Sequence, residues 1–385
     1  ILGPLMAKRR SRHASERGVD AADPRRGRLK ALRAVMRDRG LDALLVTDPK
    51  DVRYLSGFPG EDSYLAVSRS SCALITDFRF EEDAEAVRGV AKVAMRSGPI
   101  AKEAASQLTK MKARSVGLQA EHATLSVKSA VAAEFGSRGL REETGLVGPL
   151  RAVKTAGELR SIRRAVAVQE EGFLEAMWQA EAGMTELEMC AILEYEQKSR
   201  GSEGPAFETI VASKGNGSKP HAIPGKTKLA KSGGLLIDWG ATEEGYKSDM
   251  TRTVSLGRFS KRIREVYEIV EEAFYAGLEA VGPGKTGAEV DAAARGVIEE
   301  AGYGARFGHS LGHGIGLDVH EGPRLARTSD DVLEPGMVVT VEPGIYLPGE
   351  GGVRIEDDVV VTASGGESLC SLPTDLAWAE GGWRG

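Results

Sequence analysis

The sequence predicts an α/β N-terminal domain followed by an α+β domain with internal pseudo-two-fold symmetry. The 385 residues are long for a single hydrophobic core. Helical and strand-like segments alternate over residues 26–150, and a pattern of helices and acidic hairpins occurs twice after residue 155. We expect domains at residues 26–150 and 155–373, with a basic, flexible extension at 1–25 and a C-terminal tail at 374–385.

The elements of the first domain follow from the spacing of its apolar residues. Helical spacing and stop signals predict helices between Arg26 and Gly40 and at residues 51–55, 80–87, 100–111 and 126–135. Short apolar clusters predict strands at residues 41–46, 64–67, 72–75, 90–95 and 115–118. This domain contains His122 and several acids, but we interpret no group of them as catalytic.

The second domain repeats its features after about 100 residues. The repeated features are a long helix (158–180 and 260–281), a capping box (Thr185 with Glu188 and Thr286 with Glu289) and a histidine three residues before a proline (His221 and His320). Such a duplication places one hairpin from each half around a pseudo-two-fold axis. The cleft between the halves is then the expected metal site.

Four acids form two pairs that flank turn-forming sequences: Asp238 with Asp249, and Glu342 with Glu356. The midpoint of the first pair falls between Glu243 and Glu244, in TEEG, and that of the second falls at Gly349, in LPGEG. Residues directly opposite in such a hairpin have Cβ atoms about 4.5 to 5.5 Å apart. Each pair should therefore face across neighbouring strands and reach one metal cluster.

The stretch LGHGIGLDVHE, residues 311–321, places His313 and His320 in a glycine-rich loop. We attribute its three glycines to the backbone conformation of a tight loop, since no strand and GxGxxG context indicates phosphate binding. One histidine with four carboxylates favours two divalent ions, Mn²⁺ or Co²⁺ first, with Zn²⁺ also compatible. Taken singly, each acid is more simply a cap or a surface charge, but burying four together without cations is costly. Such a pair of ions acidifies a shared water and polarises a carbonyl, which indicates amide hydrolysis.

The composition limits the classes of binding partner and the cellular compartment that we expect. The formal net charge of -5 gives no reason to expect nucleic acid or an anionic membrane as a partner. The three cysteines, Cys72, Cys190 and Cys370, lie far apart in the sequence, as expected for reduced thiols in the cytoplasm. No apolar run approaches the roughly 18 residues of a membrane span.

Four segments resemble motifs of the metal-dependent Xaa-Pro peptidases, prolidase and aminopeptidase P: HSLGHGIGLDVHE, IDWGATEEGYKSDMTRT, VTVEPGIY and GVRIEDD. These enzymes share the pita-bread fold with methionine aminopeptidase and creatinase. The resemblance covers about residues 155–373, and GLDALLVTDPKDVRYLSGF is more loosely similar to the creatinase-like N-terminal domain of the family.

The resemblance implies the metal ligands Asp238, Asp249, His313, Glu342 and Glu356. It implies that Asp249 and Glu356 bridge the two ions and that Glu342 exchanges protons with the bridging water. The implied catalytic residues are His221, His309, His320, Glu342 and Arg354. Of these, His320 would stabilise the oxyanion, while the other two histidines and the arginine would lie near the proline and carboxylate side of the substrate.

The resemblance also implies a substrate and an assembly. We expect an Xaa-Pro dipeptidase (prolidase), because a two-domain chain near this length is common among these dipeptidases. The resemblance also implies a homodimer. Aminopeptidase P, acting on longer peptides, and another amidohydrolase on this fold are the alternatives. All five metal ligands are present, which argues against a creatinase-like, metal-free enzyme or a binding module. The roughly 150 residues before the second domain argue against methionine aminopeptidase.

Overall fold

A computed structural model describes residues 23–384. The chain divides into two compact units, the first ending at Thr144 and the second beginning at Gly145. Most of the predicted basic extension lies outside the described residues, and its last two residues already belong to the first helix, which Asp23 caps. None of the helices in residues 23–384 is both long enough and apolar enough to cross a membrane.

The first unit is an α/β layer structure, as predicted. Its helices are α1 (Pro24–Asp38), α2 (Pro49–Ser56), α3 (Ile100–Lys110) and α4 (Leu125–Phe135). Its strands are β1 (Ala43–Val46), β2 (Tyr64–Ser68), β3 (Cys72–Thr76), β4 (Lys92–Met95), β5 (Val116–Gln119) and β6 (Leu140–Glu143). They form one mixed sheet in the order β4-β3-β2-β1-β5-β6, with β1 antiparallel to β2 and parallel to β5.

One local prediction for this unit was wrong, and one strand was not predicted. The segment predicted as a helix at 80–87 forms two short 3-10 turns, Phe78–Phe80 and Asp83–Val87. Only Ala84 and Val87 of these turns are buried, so this stretch lacks the apolar face that stabilises a longer helix. Strand β6 was not predicted, because the sequence LREE at the sheet edge has no apolar run.

Between residues 145 and 384 the second unit contains twelve strands and six α-helices. The helices are α5 (Gly148–Ala152), α6 (Ala156–Gln179), α7 (Glu186–Ser199), α8 (Lys261–Ala280), α9 (Gly287–Glu300) and α10 (Leu376–Ala379). The strands are β7 (Ile210–Ser213), β8 (Leu235–Trp239), β9 (Thr242–Glu243), β10 (Tyr246–Lys247), β11 (Met250–Val254), β12 (Gly312–Gly314), β13 (Glu321–Leu325), β14 (Val338–Val341), β15 (Gly344–Leu347), β16 (Gly351–Arg354), β17 (Asp357–Thr362) and β18 (Gly365–Ser368).

The two halves of this unit repeat one arrangement, as the sequence predicted. In each half a long helix, α6 or α8, precedes a 14-residue helix, α7 or α9, that begins with the predicted capping box. Each helix pair packs on its own sheet, ordered β11-β8-β7 in the first half and β13-β12-β14-β17-β18 in the second. The segment predicted as a tail packs on the first half, since Trp383 is buried with Phe173 and Trp239.

The register of the second acidic hairpin is the predicted one. Gly344 pairs with Arg354 and Leu347 with Gly351, which centres the turn on Gly349 at φ 80°. The same register continues through the pairing of β14 with β17. Glu342 and Glu356 therefore stand opposite each other between the two paired segments.

The register of the first hairpin differs from the prediction by one position in the turn. Asp238 pairs with Thr251 instead of Asp249, and the turn centres between Glu244 and Gly245. Both turn residues have positive φ, 51° and 77°, as a two-residue type I′ turn requires, with glycine at the second position. Asp249 is then two residues from Thr251, and because side chains alternate with period two, it keeps the face of Asp238.

Candidate active site and metal centre

A cavity of about 890 Å³ lies in the second unit. Every residue predicted for the site lines this cavity: His221, Asp238, Asp249, His309, His313, His320, Glu342, Arg354 and Glu356. The two acidic hairpins, the His313 segment and, for His221, the connection between β7 and β8 supply these residues from both halves. The convergence that the sequence predicted is therefore present.

His313 is the centre of the acidic cluster. Its Nε2 atom lies 3.7 Å from Asp249 Oδ2 and 3.5 Å from Glu342 Oε1. Potential ligand atoms of Asp249, His313 and Glu356 all lie within 4.8 Å of one another. Nδ1 lies 3.1 Å from the carbonyl oxygen of Gly314, so it donates there and leaves the Nε2 lone pair facing the carboxylates.

Hydrogen bonds from neighbouring residues fix the carboxylates. Thr251 Oγ1 donates to Glu356 Oε2 at 2.6 Å and accepts a hydrogen bond from Arg354 Nε at 2.9 Å. The backbone N–H of Asp249 donates to Oδ2 of the buried Asp358 at 3.0 Å. Such outer contacts orient metal ligands and tune their affinity.

The donor set fits divalent cations. Asp238 Oδ2 accepts from Arg354 Nη2 at 2.5 Å, whereas its buried Oδ1 has no hydrogen-bond partner within residues 23–384. Burial, followed by the charge of Glu356, raises the pKa of Asp249 and of Glu342 well above the usual range. Burial, followed by the charge of Asp238, raises the pKa of Glu356 to about 8. Cations would compensate for the cost of gathering these acids away from water.

The glycines beside His313 allow close packing, and the predicted reason for them was wrong. His313 lies in strand β12 instead of a tight loop, and Gly312, Gly314 and Gly316 all have ordinary negative or extended φ. A Cβ atom at Gly312 would lie 2.0 Å from the Thr340 carbonyl oxygen, and one at Gly314 would lie 2.2 Å from that of Gly322. Only glycine lets these backbones approach so closely.

His309 is held as a neutral imidazole. Its Nδ1 donates to the Ser310 carbonyl oxygen at 2.8 Å, so Nε2 accepts from the Tyr346 hydroxyl at 2.8 Å. Burial, followed by the charge of Arg354, lowers the His309 pKa to about 4. Arg354 Nη1 in turn donates to the Tyr346 oxygen at 2.8 Å, which completes a chain from Asp238 to His309.

The other two histidines face the same cavity. His320 packs edge-on against His313 with ring centroids 4.2 Å apart. Burial, followed by the charge of His221, lowers the pKa of His320. His221, between Pro220 and Ala222, is exposed and also lines the cavity.

Three residues of this site were not predicted from the sequence. Tyr346 lies four residues after Glu342, and strand periodicity places both on one face, so this signal was available. Thr251 was hidden by the shifted register of the first hairpin. Arg324 is the cross-strand partner of His313. A β-bulge after His313 shifts the register, so counting residues from the turn does not give this pairing.

The first unit also contains a compact group of two acids and a histidine that was not predicted from the sequence. Potential ligand atoms of Asp48, Asp51 and His122 lie within 4.8 Å of one another. Gln119 Nε2 donates to Asp51, and its Oε1 accepts the backbone N–H of Thr47 at 2.8 Å. These hydrogen bonds account for the position of Asp51 without a ligand.

Comparison with known proteins gives a family match in each unit. The metallopeptidase family M24 profile matches residues 160–363, and the creatinase/prolidase N-terminal domain profile matches residues 28–153. An uncharacterized peptidase of Bacillus subtilis is 36% identical over 351 residues, which cover 91% of this chain and 99% of that protein.

Solved structures with this fold include two peptidases. The structure of an Xaa-Pro dipeptidase from Bacillus anthracis has a TM-score of 0.89 and 37% identity, and the match covers 91% of this chain and 99% of that chain. The structure of an X-Pro aminopeptidase from Thermotoga maritima has a TM-score of 0.81 and 39% identity, and the match covers 87% and 97%. The chain thus has a creatinase-like N-terminal domain followed in the sequence by a pita-bread domain, and it belongs to the hydrolases of metallopeptidase family M24.

Proposed function

We propose that the chain is an Xaa-Pro dipeptidase that hydrolyses the bond before proline with two divalent ions. The proposed ligands are Asp238, Asp249, His313, Glu342 and Glu356, with Asp249 and Glu356 shared between the ions. The carboxylate-rich set favours Mn²⁺ or Co²⁺, and Zn²⁺ is compatible with it. A homodimer in the cytoplasm completes the proposal. Similarity to the Bacillus anthracis dipeptidase supports the substrate class.

The position of Arg324 is the observation that favours a dipeptide as the substrate. It stands opposite His313 in the pairing of β12 with β13, so its side chain shares the cavity face of that histidine. The Arg324 side chain is exposed, and within residues 23–384 no hydrogen bond or ion pair engages its guanidinium. A guanidinium recognises a carboxylate through two parallel hydrogen bonds. The C-terminal carboxylate of a dipeptide lies one residue from the scissile bond, within reach of such a group.

The chemistry is divided among residues of the cavity. When bound, two divalent ions acidify a water and polarise the scissile carbonyl. Glu342 would take the proton of the attacking water and pass it to the departing proline nitrogen. His320, beside His313, would donate a hydrogen bond to the carbonyl oxygen as negative charge develops there. His221 and His309 would then flank the proline side of the substrate.

Arg354 has a different role in this proposal from the catalytic one expected at first. Its guanidinium is buried and already bonded to Asp238, Thr251 and Tyr346. A cation so fully engaged is a poor substrate ligand, so Arg354 would position Asp238 and Tyr346.

The alternative is an Xaa-Pro aminopeptidase that accepts longer peptides, and similarity to the Thermotoga maritima enzyme supports it. To distinguish the two functions, a chelator is used to remove metal ions from the protein, and one kind of ion at a time is then added back. Each sample is assayed on an Xaa-Pro dipeptide and an Xaa-Pro-Xaa tripeptide. Cleavage of the dipeptide alone supports the proposal. Cleavage of the tripeptide supports the alternative, and cleavage of neither indicates another amidohydrolase.

A further inference from the structure

We propose that Glu186 is a positioning residue, which clamps the loop of residues 214–226 so that His221 faces the cavity. The inference rests on the proposed function for the role of His221, but the clamp itself is independent of the substrate. Glu186 is the first residue of α7 and is 0% exposed. None of the catalytic steps above uses it.

Both oxygens of Glu186 accept hydrogen bonds from the base of the loop. Oε1 accepts from the backbone N–H of Ser213 at 2.8 Å and from Asn216 Nδ2 at 3.1 Å. Oε2 accepts from the backbone N–H of Gly225 at 3.1 Å and from the same Asn216 atom at 3.0 Å. One carboxylate thus ties together the beginning and the end of the loop.

The backbone around Glu186 reinforces this closure. The N–H of Glu186 donates to the Thr227 carbonyl oxygen at 3.0 Å, and the N–H of Leu187 donates to that of Gly225 at 3.2 Å. Asn216 Nδ2 also donates to Thr227 Oγ1 at 3.0 Å. The start of α7 and the two ends of the loop therefore form one hydrogen-bonded unit.

At the tip of the loop one small apolar side chain is buried, since Ala222 packs in a cluster with Ile210 and Tyr346. His221 is exposed, and Ile223 is 82% exposed. The Pro220 carbonyl oxygen accepts from Arg354 Nη1 at 3.3 Å, a long hydrogen bond. The tip is thus held by one small side chain and one long hydrogen bond, and the hydrogen bonds at the base of the loop add to them in fixing the position of His221.

The carboxylate form of Glu186 is needed for this clamp. Within residues 23–384 no lysine, arginine or histidine forms an ion pair with it, so the N–H donors compensate for its burial. A glutamine would turn one acceptor oxygen into a donor that faces other donors. Capping of α7 does not require Glu186, because Thr185 and Glu188 form the capping box.

The experiment compares Glu186→Gln, the matched helix-end control Glu188→Gln, His221→Ala and the double variant Glu186→Gln/His221→Ala. We expect Glu186→Gln to lower kcat/KM on an Xaa-Pro dipeptide about 10- to 100-fold, because small misplacements of an active-site group cost that much. Metal content should stay at the wild-type level. In the His221→Ala background, Glu186→Gln should cause no further loss, since residues acting through one another are not additive.

A second readout needs no substrate. Amide hydrogen exchange of residues 214–227 should accelerate in Glu186→Gln and not in Glu188→Gln. Unchanged exchange, or a full additional loss in the double variant, would overturn the clamp. Faster exchange in a protein that cleaves no Xaa-Pro peptide supports the clamp and overturns the proposed function instead. If Glu186→Gln does not fold, Asn216→Ala removes a shared donor of the same carboxylate and is judged by the same outcomes.

Discussion

Thr251 and Glu356 form one of the contacts between the two halves of the second unit. The Thr251 hydroxyl donates to Glu356 Oε2 at 2.6 Å, and the backbone N–H of Glu356 donates to the Thr251 carbonyl oxygen at 3.1 Å. The threonine belongs to the first acidic hairpin and the glutamate to the second. The cavity therefore depends on the association of the two halves. Both halves position the Glu356 side chain.

We expect Asp249→Asn and Glu356→Gln each to abolish turnover and metal loading together. Each change removes one of the two charges proposed to be shared by both ions, and ligand loss in such centres lowers affinity and activity alike. Metal content by mass spectrometry and dipeptide turnover are measured on the same samples.

The matched control is Glu350→Gln, an exposed acid at the turn of the Glu356 hairpin. It should keep the wild-type metal content and rate. Full activity in either ligand variant would contradict the assignment of the dinuclear site.

His320→Ala should retain its metal but lose rate by about 10²-fold or more, as expected when a donor to a developing oxyanion is removed. The effect should appear in kcat more than in KM, because the hydrogen bond strengthens only as charge develops. His122→Ala, in the first unit, serves as a histidine control. If His320→Ala lost metal in parallel with activity, the histidine would be a ligand instead.

Much of this site was predictable because its residues follow strand periodicity. The Glu342 and Glu356 hairpin keeps one register across four strands, so its turn at Gly349 fixes both acids. The predicted register of the Asp238 hairpin was wrong by one position in the turn. The prediction placed Gly245 last in the four-residue turn, whereas in the type I′ turn it is the second of the two central residues.

Other features depend on tertiary contacts that no local pattern encodes. The glycines around His313 were attributed to loop conformation. Instead, the close approach of the Thr340 carbonyl oxygen in β14 leaves no room for a side chain at position 312. The partnership of Arg324 with His313 depends on a β-bulge, and the clamp by Glu186 joins residues more than 25 positions apart. Only the folded chain brings these groups together.

Arg324→Gln should raise KM for an Xaa-Pro dipeptide about 10-fold or more while changing kcat little, because a charge-assisted contact to the substrate carboxylate is lost. An Xaa-Pro amide, which lacks that carboxylate, should be affected far less. The control is Arg327→Gln, an exposed arginine paired with Glu299. Equal losses on the acid and the amide would show that Arg324 does not bind the carboxylate.

The stability of chelator-treated protein should fall as the pH rises from about 6.5 to about 8. The folded-state pKa of Glu356 is raised from 4.5 to about 8, so its stabilising contribution is complete below 4.5 and is lost as the pH approaches 8. The pKa of His313 is lowered from 6.5 to about 4, so its contribution is lost only when the pH falls below 6.5. Above pH 6.5 the acids alone determine how the free energy of unfolding changes with pH.

Each proton released in this window should lower the free energy of unfolding by about 1.4 kcal/mol per pH unit. The measurement is the Tm of chelator-treated and Mn²⁺-loaded protein at pH 6.5, 7.2 and 8. The loaded protein should show no such fall, because bound cations keep the carboxylates ionised throughout this range. A Tm that rises with pH after chelation would mean that the four acids do not repel one another in the folded chain, and the physical argument for a metal cluster would be lost.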